Sequence, residues 1–286
     1  MTSLRDTAAR WLAEGTPAVL VEVSEALGSA PREAGTRMLV SAAQCAGTIG
    51  GGHLELKAIE RARHMLAAGD GGPQSAHYPL GPALGQCCGG AVTLAFSRLD
   101  ARTVSAWPPA APRFHLQLYG AGHVGRAIVR ALAPLNVRVD WIDEREDEFP
   151  PASDTPAHTR RIAVDEPEAE VRDAPRGAFY LVLTHRHDLD LRIATAILKR
   201  GDFGFFGLIG SQTKRARFTH RFEAMGLAPE AIARMHCPIG VPGVAGKEPE
   251  VIAASVVAQL LLASSGAGDQ VPASARSAAT SSTFTV

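Results

Sequence analysis

Apolar and polar positions follow two different rhythms along the chain, and the change between them falls near residue 105. In the first part, short apolar runs are separated by glycine-rich turns. Ala18–Val23 reads as a buried strand, Thr36–Val40 as a second and Ala91–Phe96 as a third. Thr7–Glu14 predicts a short helix. His53–Ala68 predicts a longer one, with Leu54, Ala58, Ala62 and Met65 at helical spacing and Gly69 at its end. The turns at 28–35, 47–52 and 81–90 are rich in glycine. Residues 1–104 are therefore expected to form a small mixed α/β domain.

Pro108, Pro109 and Pro112 interrupt the pattern, since prolines so close together continue neither a helix nor a central strand. A linker is placed at 105–113. Beyond it, apolar strands are predicted at 114–119, 137–142, 179–183 and 203–208, with helical segments at 123–133, 188–200 and 212–225. Strands alternating with helices predict a doubly wound parallel sheet over 114–263, covered on both faces. Val251–Ala263, broken by Ser255 and Gln259, reads as a core helix. Its apolar face is to be buried within one chain or between two copies in a homodimer. The Ala-, Ser-, Gly- and Thr-rich stretch 264–286 is expected to be a disordered tail.

Charge narrows the function classes. Lys plus Arg and Asp plus Glu both number 29, so no basic excess points to nucleic acid or to an anionic membrane. The first residues lack a charged-then-apolar leader plan, and no apolar run approaches the roughly 18 residues of a membrane span. Four cysteines make no disulfide framework in a chain of this length, so a cytoplasmic protein with reduced thiols is expected.

The chemistry-bearing motif is Gly120-Ala121-Gly122-His123-Val124-Gly125, between a predicted strand and a predicted helix. Gly120 permits the tight turn, Gly122 keeps side chains away from a ligand, and Gly125 lets the helix approach the sheet. Amides from His123 onward then suit a phosphate or pyrophosphate. Asp143 ends the next strand, 23 positions after Gly120, where an acid suits a ribose hydroxyl. This is the pattern of a Rossmann-type dinucleotide domain. Alone it suggests an NAD(P)-dependent oxidoreductase, although no hydride-transfer site is evident elsewhere.

Gln86-Cys87-Cys88-Gly89-Gly90 offers adjacent thiols among glycines. Thiolates there suit a thiophilic metal or a transferred sulfur, and two small buried hydrophobes fit equally well. His185-Arg186-His187-Asp188 follows a strand and invites a metal, with Asp188 as a simple N-cap the preferred alternative. Ser211 after Gly210 is an N-cap that leaves helix amides open to an anion, with Lys214, Arg215 and Arg217 nearby. Cys237 fits either a ligand-facing or a buried, inert thiol.

Five stretches in order carry a further likeness: Gly28–Gly35 with Met38–Val40, Gly50–Glu55, Gly85–Gly90, the Rossmann turn with Asp143, and Phe206–Ser211 through Cys237–Gly240 to Gly246–Glu250. In these the chain resembles the XdhC/CoxI family of accessory proteins for xanthine dehydrogenase and related molybdenum hydroxylases. The resemblance implies a chaperone without turnover of its own. It would bind molybdenum cofactor (molybdopterin), support its sulfuration by a cysteine desulfurase, and deliver it to apo xanthine dehydrogenase. Family members often have cysteine where this sequence has His53, which leaves Cys87 and Cys88 as the sulfur-handling and metal candidates. Arg32 and Glu55 are expected to line the cofactor site, together with Gly120, Gly122, His123, Gly125, Asp143 and Ser211.

Overall fold

The computed structural model describes residues 3–69, 72–80, 90–107 and 110–268. The chain divides between residues 109 and 110 into two compact units.

The first unit begins with α1 (Leu4–Ala13), which starts earlier than hydrophobic spacing suggests because of a reciprocal cap. Ser3 Oγ accepts from the Asp6 amide, and the Asp6 carboxylate accepts from the Ser3 amide. There follow β1 (Ala18–Leu27), β2 (Arg37–Ser41), β3 (Cys45–Gly47), α2 (Gly52–Ala68), β4 (Gln74–Pro79), β5 (Ala91–Arg98) and α3 (Ala101–Ala106). All strand pairs are antiparallel, in the order β3-β2-β1-β5-β4. Alternation along β1 sends Val19, Val21 and Val23 to one face, where Leu54, Ala58, Ala62 and Met65 of α2 cover them. Ala18 and Leu20 point the other way and pack with Ala8 and Trp11 of α1. Because α3 includes Ser105 and Ala106, helix occupies the first two positions assigned to the linker.

The second unit contains β6 (His115–Tyr119), α4 (His123–Leu132), β7 (Arg138–Asp143), β8 (Thr159–Ala163), β9 (Phe179–Val182), α5 (His187–Arg200), β10 (Phe205–Leu208), α6 (Gln212–Ala224), α7 (Pro229–Ala233), β11 (Met235–His236) and α8 (Pro249–Gly268). Its six strands are all parallel, in the order β11-β10-β9-β6-β7-β8. Counted within the unit this is 3-2-1-4-5-6, the order of the dinucleotide-binding Rossmann fold.

The two faces of this sheet are filled by different helices. Ile128 and Leu132 of α4 and Val256 and Leu260 of α8 pack on Leu116, Leu118 and Leu181. On the other face, Ile193 and Ile197 of α5 and Phe218 and Phe222 of α6 pack on Tyr180, Val182 and Phe206. The apolar face of α8 is thus covered within the chain. Its two polar interruptions hold the loop after β11: Ser255 Oγ accepts from the Val241 amide at 2.7 Å, and Gln259 Oε1 from the Gly240 amide at 2.8 Å. The helix also continues to Gly268, so 264–268 are helical where composition predicts a tail. Within this extension Ser264 and Ser265 donate their hydroxyls back to the Leu261 carbonyl.

Candidate functional site

Strand order in the parallel sheet reverses between β6 and β9, and open sheets of this kind bind ligands outside the carboxyl ends of the strands at that point. The glycine turn sits there. Gly120 has φ +120°, and a Cβ on it would lie 2.4 Å from the Leu183 carbonyl oxygen. A Cβ on Gly125 would lie 2.1 Å from the Gly120 oxygen, so α4 begins in contact with the turn. The Gly120 oxygen also accepts from the buried Trp141 indole at 2.9 Å. Gly122 is different: a Cβ there meets nothing within 4 Å. Gly122 is the N-cap of α4 and no side chain caps the helix, so its first amides have no capping acceptor, with His123 exposed beside them.

Asp143 stands where spacing places it, with a different role. Its carboxylate accepts from the Ala121 amide at 2.7 Å, from the Arg145 amide at 2.9 Å, and from Arg145 Nε and Nη2 at 3.0 Å each. Only 3% of the side chain is exposed. Burial pushes its pKa up, but the Arg145 guanidinium and the Ala121 and Arg145 amides outweigh that and hold the carboxyl below its usual range. Asp143 therefore ties β7 to the glycine turn, and its oxygens are occupied rather than offered to a ribose. The carboxylate nearer the crevice is Glu144, which sequence reasoning missed. It meets His185 at 3.3 Å and Arg186 at 3.5 Å from the loop after β9. The signal available was only its position beside Asp143.

Across the crevice, Thr184, His185 and His187 precede and open α5. Asp188 is not the N-cap: that position is Arg186, and Asp188 lies in the first turn, 3.5 Å from Arg186 and 3.7 Å from Arg192. Ser211 does cap α6, its Oγ accepting from the Lys214 amide at 3.2 Å. Lys214 makes a buried ion pair with Asp190 at 2.6 Å and donates to the Ile209 carbonyl at 2.8 Å. Asp190 is completed by the Thr184 amide and hydroxyl. Cys237 is buried, and that burial pushes its thiol pKa up, the condition of an inert thiol. Among the described residues, no group of three or more His, Cys, Asp or Glu is placed to hold a metal ion, and no helix is long and apolar enough to cross a membrane.

In the first unit, one oxygen of Glu55 is committed to its own loop. Its Oε2 accepts from Thr48 Oγ1 at 2.5 Å and from the Ile49 and Gly51 amides at 3.1 Å each. This shapes the 48–52 turn at the start of α2 and commits one of the two carboxylate oxygens of Glu55 to the loop. A Cβ on Gly50 would lie 2.7 Å from Pro31, and one on Gly90 would lie 2.3 Å from the Leu27 oxygen. The 28–35 turn and the end of β1 are thus approached closely by Gly50 of the 47–52 turn and by Gly90. Arg32 is exposed next to this junction. Cys87 and Cys88 lie outside the described residues.

Comparison with known proteins fits both units. Residues 116–260 match the model described as the XdhC Rossmann domain, and residues 11–79 match that of the XdhC and CoxI family. The chain belongs to the XdhC/CoxI family. It is 30% identical over 259 residues to the uncharacterized protein YqeB of Escherichia coli (strain K12), covering 89% of this chain and 45% of that protein. The chain therefore spans about half the length of that relative. A solved structure named as a xanthine dehydrogenase from Bacillus halodurans has the same fold, with TM-score 0.76 and 18% identity over 94% of this chain and 98% of that one.

Proposed function

We propose that this XdhC/CoxI-family chain is an accessory protein that binds molybdenum cofactor as cargo, supports its sulfuration by a cysteine desulfurase, and delivers it to apo xanthine dehydrogenase. The observation that carries the reading is the open Gly122 position at the sheet's switch point. Uncapped α4 amides there have room for the phosphate of a molybdopterin, or for the pyrophosphate of a nucleotide form. The name of the Bacillus structural relative and the family match give this ligand precedence over others with a phosphate. In this role the chain's residues bind and screen rather than turn over a substrate. Gly120 and Gly125 set the turn, Asp143 and Arg145 fix its orientation, and His123 and Ser211 stand at helix starts beside the crevice. Cys87 and Cys88 are the proposed sulfur-handling and metal-facing thiols.

The test is to incubate the purified chain with molybdenum cofactor, remove free ligand and assay the retained pterin by fluorescence. Stoichiometric retention is expected, lost in Gly122→Asp, which sets a carboxylate where the phosphate belongs. Retention no better than by an unrelated protein would remove the proposal. A Cys87→Ala, Cys88→Ala double variant should retain pterin poorly or fail to support sulfuration. Normal activation of the dehydrogenase by that variant would end the sulfur role.

A second reading, an NAD(P)-dependent oxidoreductase, is favoured by the complete 3-2-1-4-5-6 strand order. The saturated Asp143 weighs against it. Absence of NAD(P) binding in the same assay format would dismiss it.

A further inference from the structure

A cavity of about 310 Å³ opens at the carboxyl ends of β9 and β10. Because β9 is the neighbour of β6, it lies on the far side of the switch point from β7. Thr184, His185 and His187 form one wall, and Ser211, Lys214 and Arg217 form the other. We propose that this cavity is a second anion subsite, distinct from the Gly122 turn, that takes a tetrahedral oxyanion such as a phosphate ester or an oxometalate. The inference concerns what this cavity holds and stands whether or not the cargo is molybdenum cofactor.

The charges decide the sign of the ligand. Asp190, the acid in the lining, is fully buried, and its oxygens are taken by Lys214, the Thr184 amide and the Thr184 hydroxyl. Its charge is neutralised within the wall by the Lys214 ammonium. Lys214 is itself nine-tenths buried, and its two hydrogen bonds, to Asp190 and the Ile209 carbonyl, leave one of three ammonium donors without an acceptor among the described residues. The Phe218 ring lies with its centroid 5.4 Å from the same nitrogen, which keeps the ammonium desolvated on that side.

Arg217 and His187 line the cavity with no ion pair or hydrogen bond among the described residues. The α6 amides ahead of Lys214 add donors to the same wall. Among the charged lining side chains Lys214 is paired with Asp190, and His185 meets the Glu144 carboxylate at 3.3 Å, so Arg217 carries the unneutralised charge, which is positive. An oxyanion meets these donors with charge-assisted hydrogen bonds.

The test uses the full chain and the imidazole resonances of His185 and His187 in a two-dimensional NMR titration. Inorganic phosphate is added in one arm and molybdate in the other. Saturable shifts are expected at both histidines, with phosphate alone assigning a phosphate ester, molybdate alone an oxometalate, and both a general tetrahedral anion. Arg217→Gln, an exposed change that leaves folding intact, should weaken the binding by roughly tenfold or more through the loss of one charge-assisted contact. Arg102→Gln on α3 serves as a remote charge control and should change nothing, and Gly122→Asp should leave the histidine shifts in place. Absence of saturable binding in both arms would overturn the proposal. So would equal affinity in Arg217→Gln, or loss of binding in Gly122→Asp alone.

Discussion

At Gly50 an added Cβ would come within 2.7 Å of Pro31, and at Gly90 within 2.3 Å of the Leu27 oxygen, whereas at Gly122 it would meet nothing within 4 Å. The glycine-rich loops of the two units are alike in composition, and these three glycines differ in what surrounds them. In the antiparallel unit, the missing side chains let the chain's own loops pack, and Glu55 fills the start of α2 with an internal carboxylate. In the glycine turn of the parallel unit, Gly120 and Gly125 also serve packing, and Gly122 is the one of the three with room for a side chain. In that turn two glycines are thus architecture, and the position proposed to face the cofactor is the third.

That contrast is broken most severely at Gly125. A Gly125→Ala methyl would collide with the Gly120 carbonyl, and a loss of about 3 kcal/mol is expected in denaturant unfolding. Asp143→Asn comes next, at about 2 kcal/mol, because one oxygen pair no longer suits both Arg145 and the Ala121 amide. The same residue sets a pH signature. Since its folded pKa is lowered, its stabilisation is complete above the unfolded value of about 3.9 and is lost as pH falls through the folded one. Wild type should therefore lose more stability than the asparagine variant when unfolding is compared between pH 5 and pH 2.

Glu55→Gln tests the closed loop of the other unit. The amide keeps an acceptor but loses the charge that three donors share, so about 1 kcal/mol is expected by thermal melting of the full chain. Smallest is Gly122→Ala, within about 0.5 kcal/mol of wild type in stability, because its φ of −69° suits any residue and the space is free. Its effect belongs to pterin retention, which should fall while the melting curve stays put. A large stability loss at Gly122 would erase the distinction between the two kinds of glycine.

The strongly patterned elements were legible because their burial is set by local spacing. The strands ending at Tyr119 and Asp143, the α2 stripe and the turn between β6 and α4 stand where periodicity puts them. β3, β4 and β8 were not legible. In β8, Thr159–Ala163 is an edge strand with Arg160 and Arg161 exposed, and β4 alternates only half-buried residues, so neither carries an apolar signature. The site was legible as a turn, not as a set of partners. Spacing found Asp143 but not the Arg145 that occupies it. It found the Ser211 cap, yet not the pairing of Lys214 with Asp190, because a contact across 24 positions leaves no local trace.

Trp141 shows what such a contact makes possible. Its indole is buried, donates to the Gly120 carbonyl at 2.9 Å and stands edge-on to Phe149 at 5.2 Å. Any group that settles on the neighbouring amides changes the polarisation of the carbonyl which that indole holds. The protein thus carries an optical probe wired into its own turn. In a variant whose only tryptophan is Trp141, emission would read the occupancy of the turn directly, without a label.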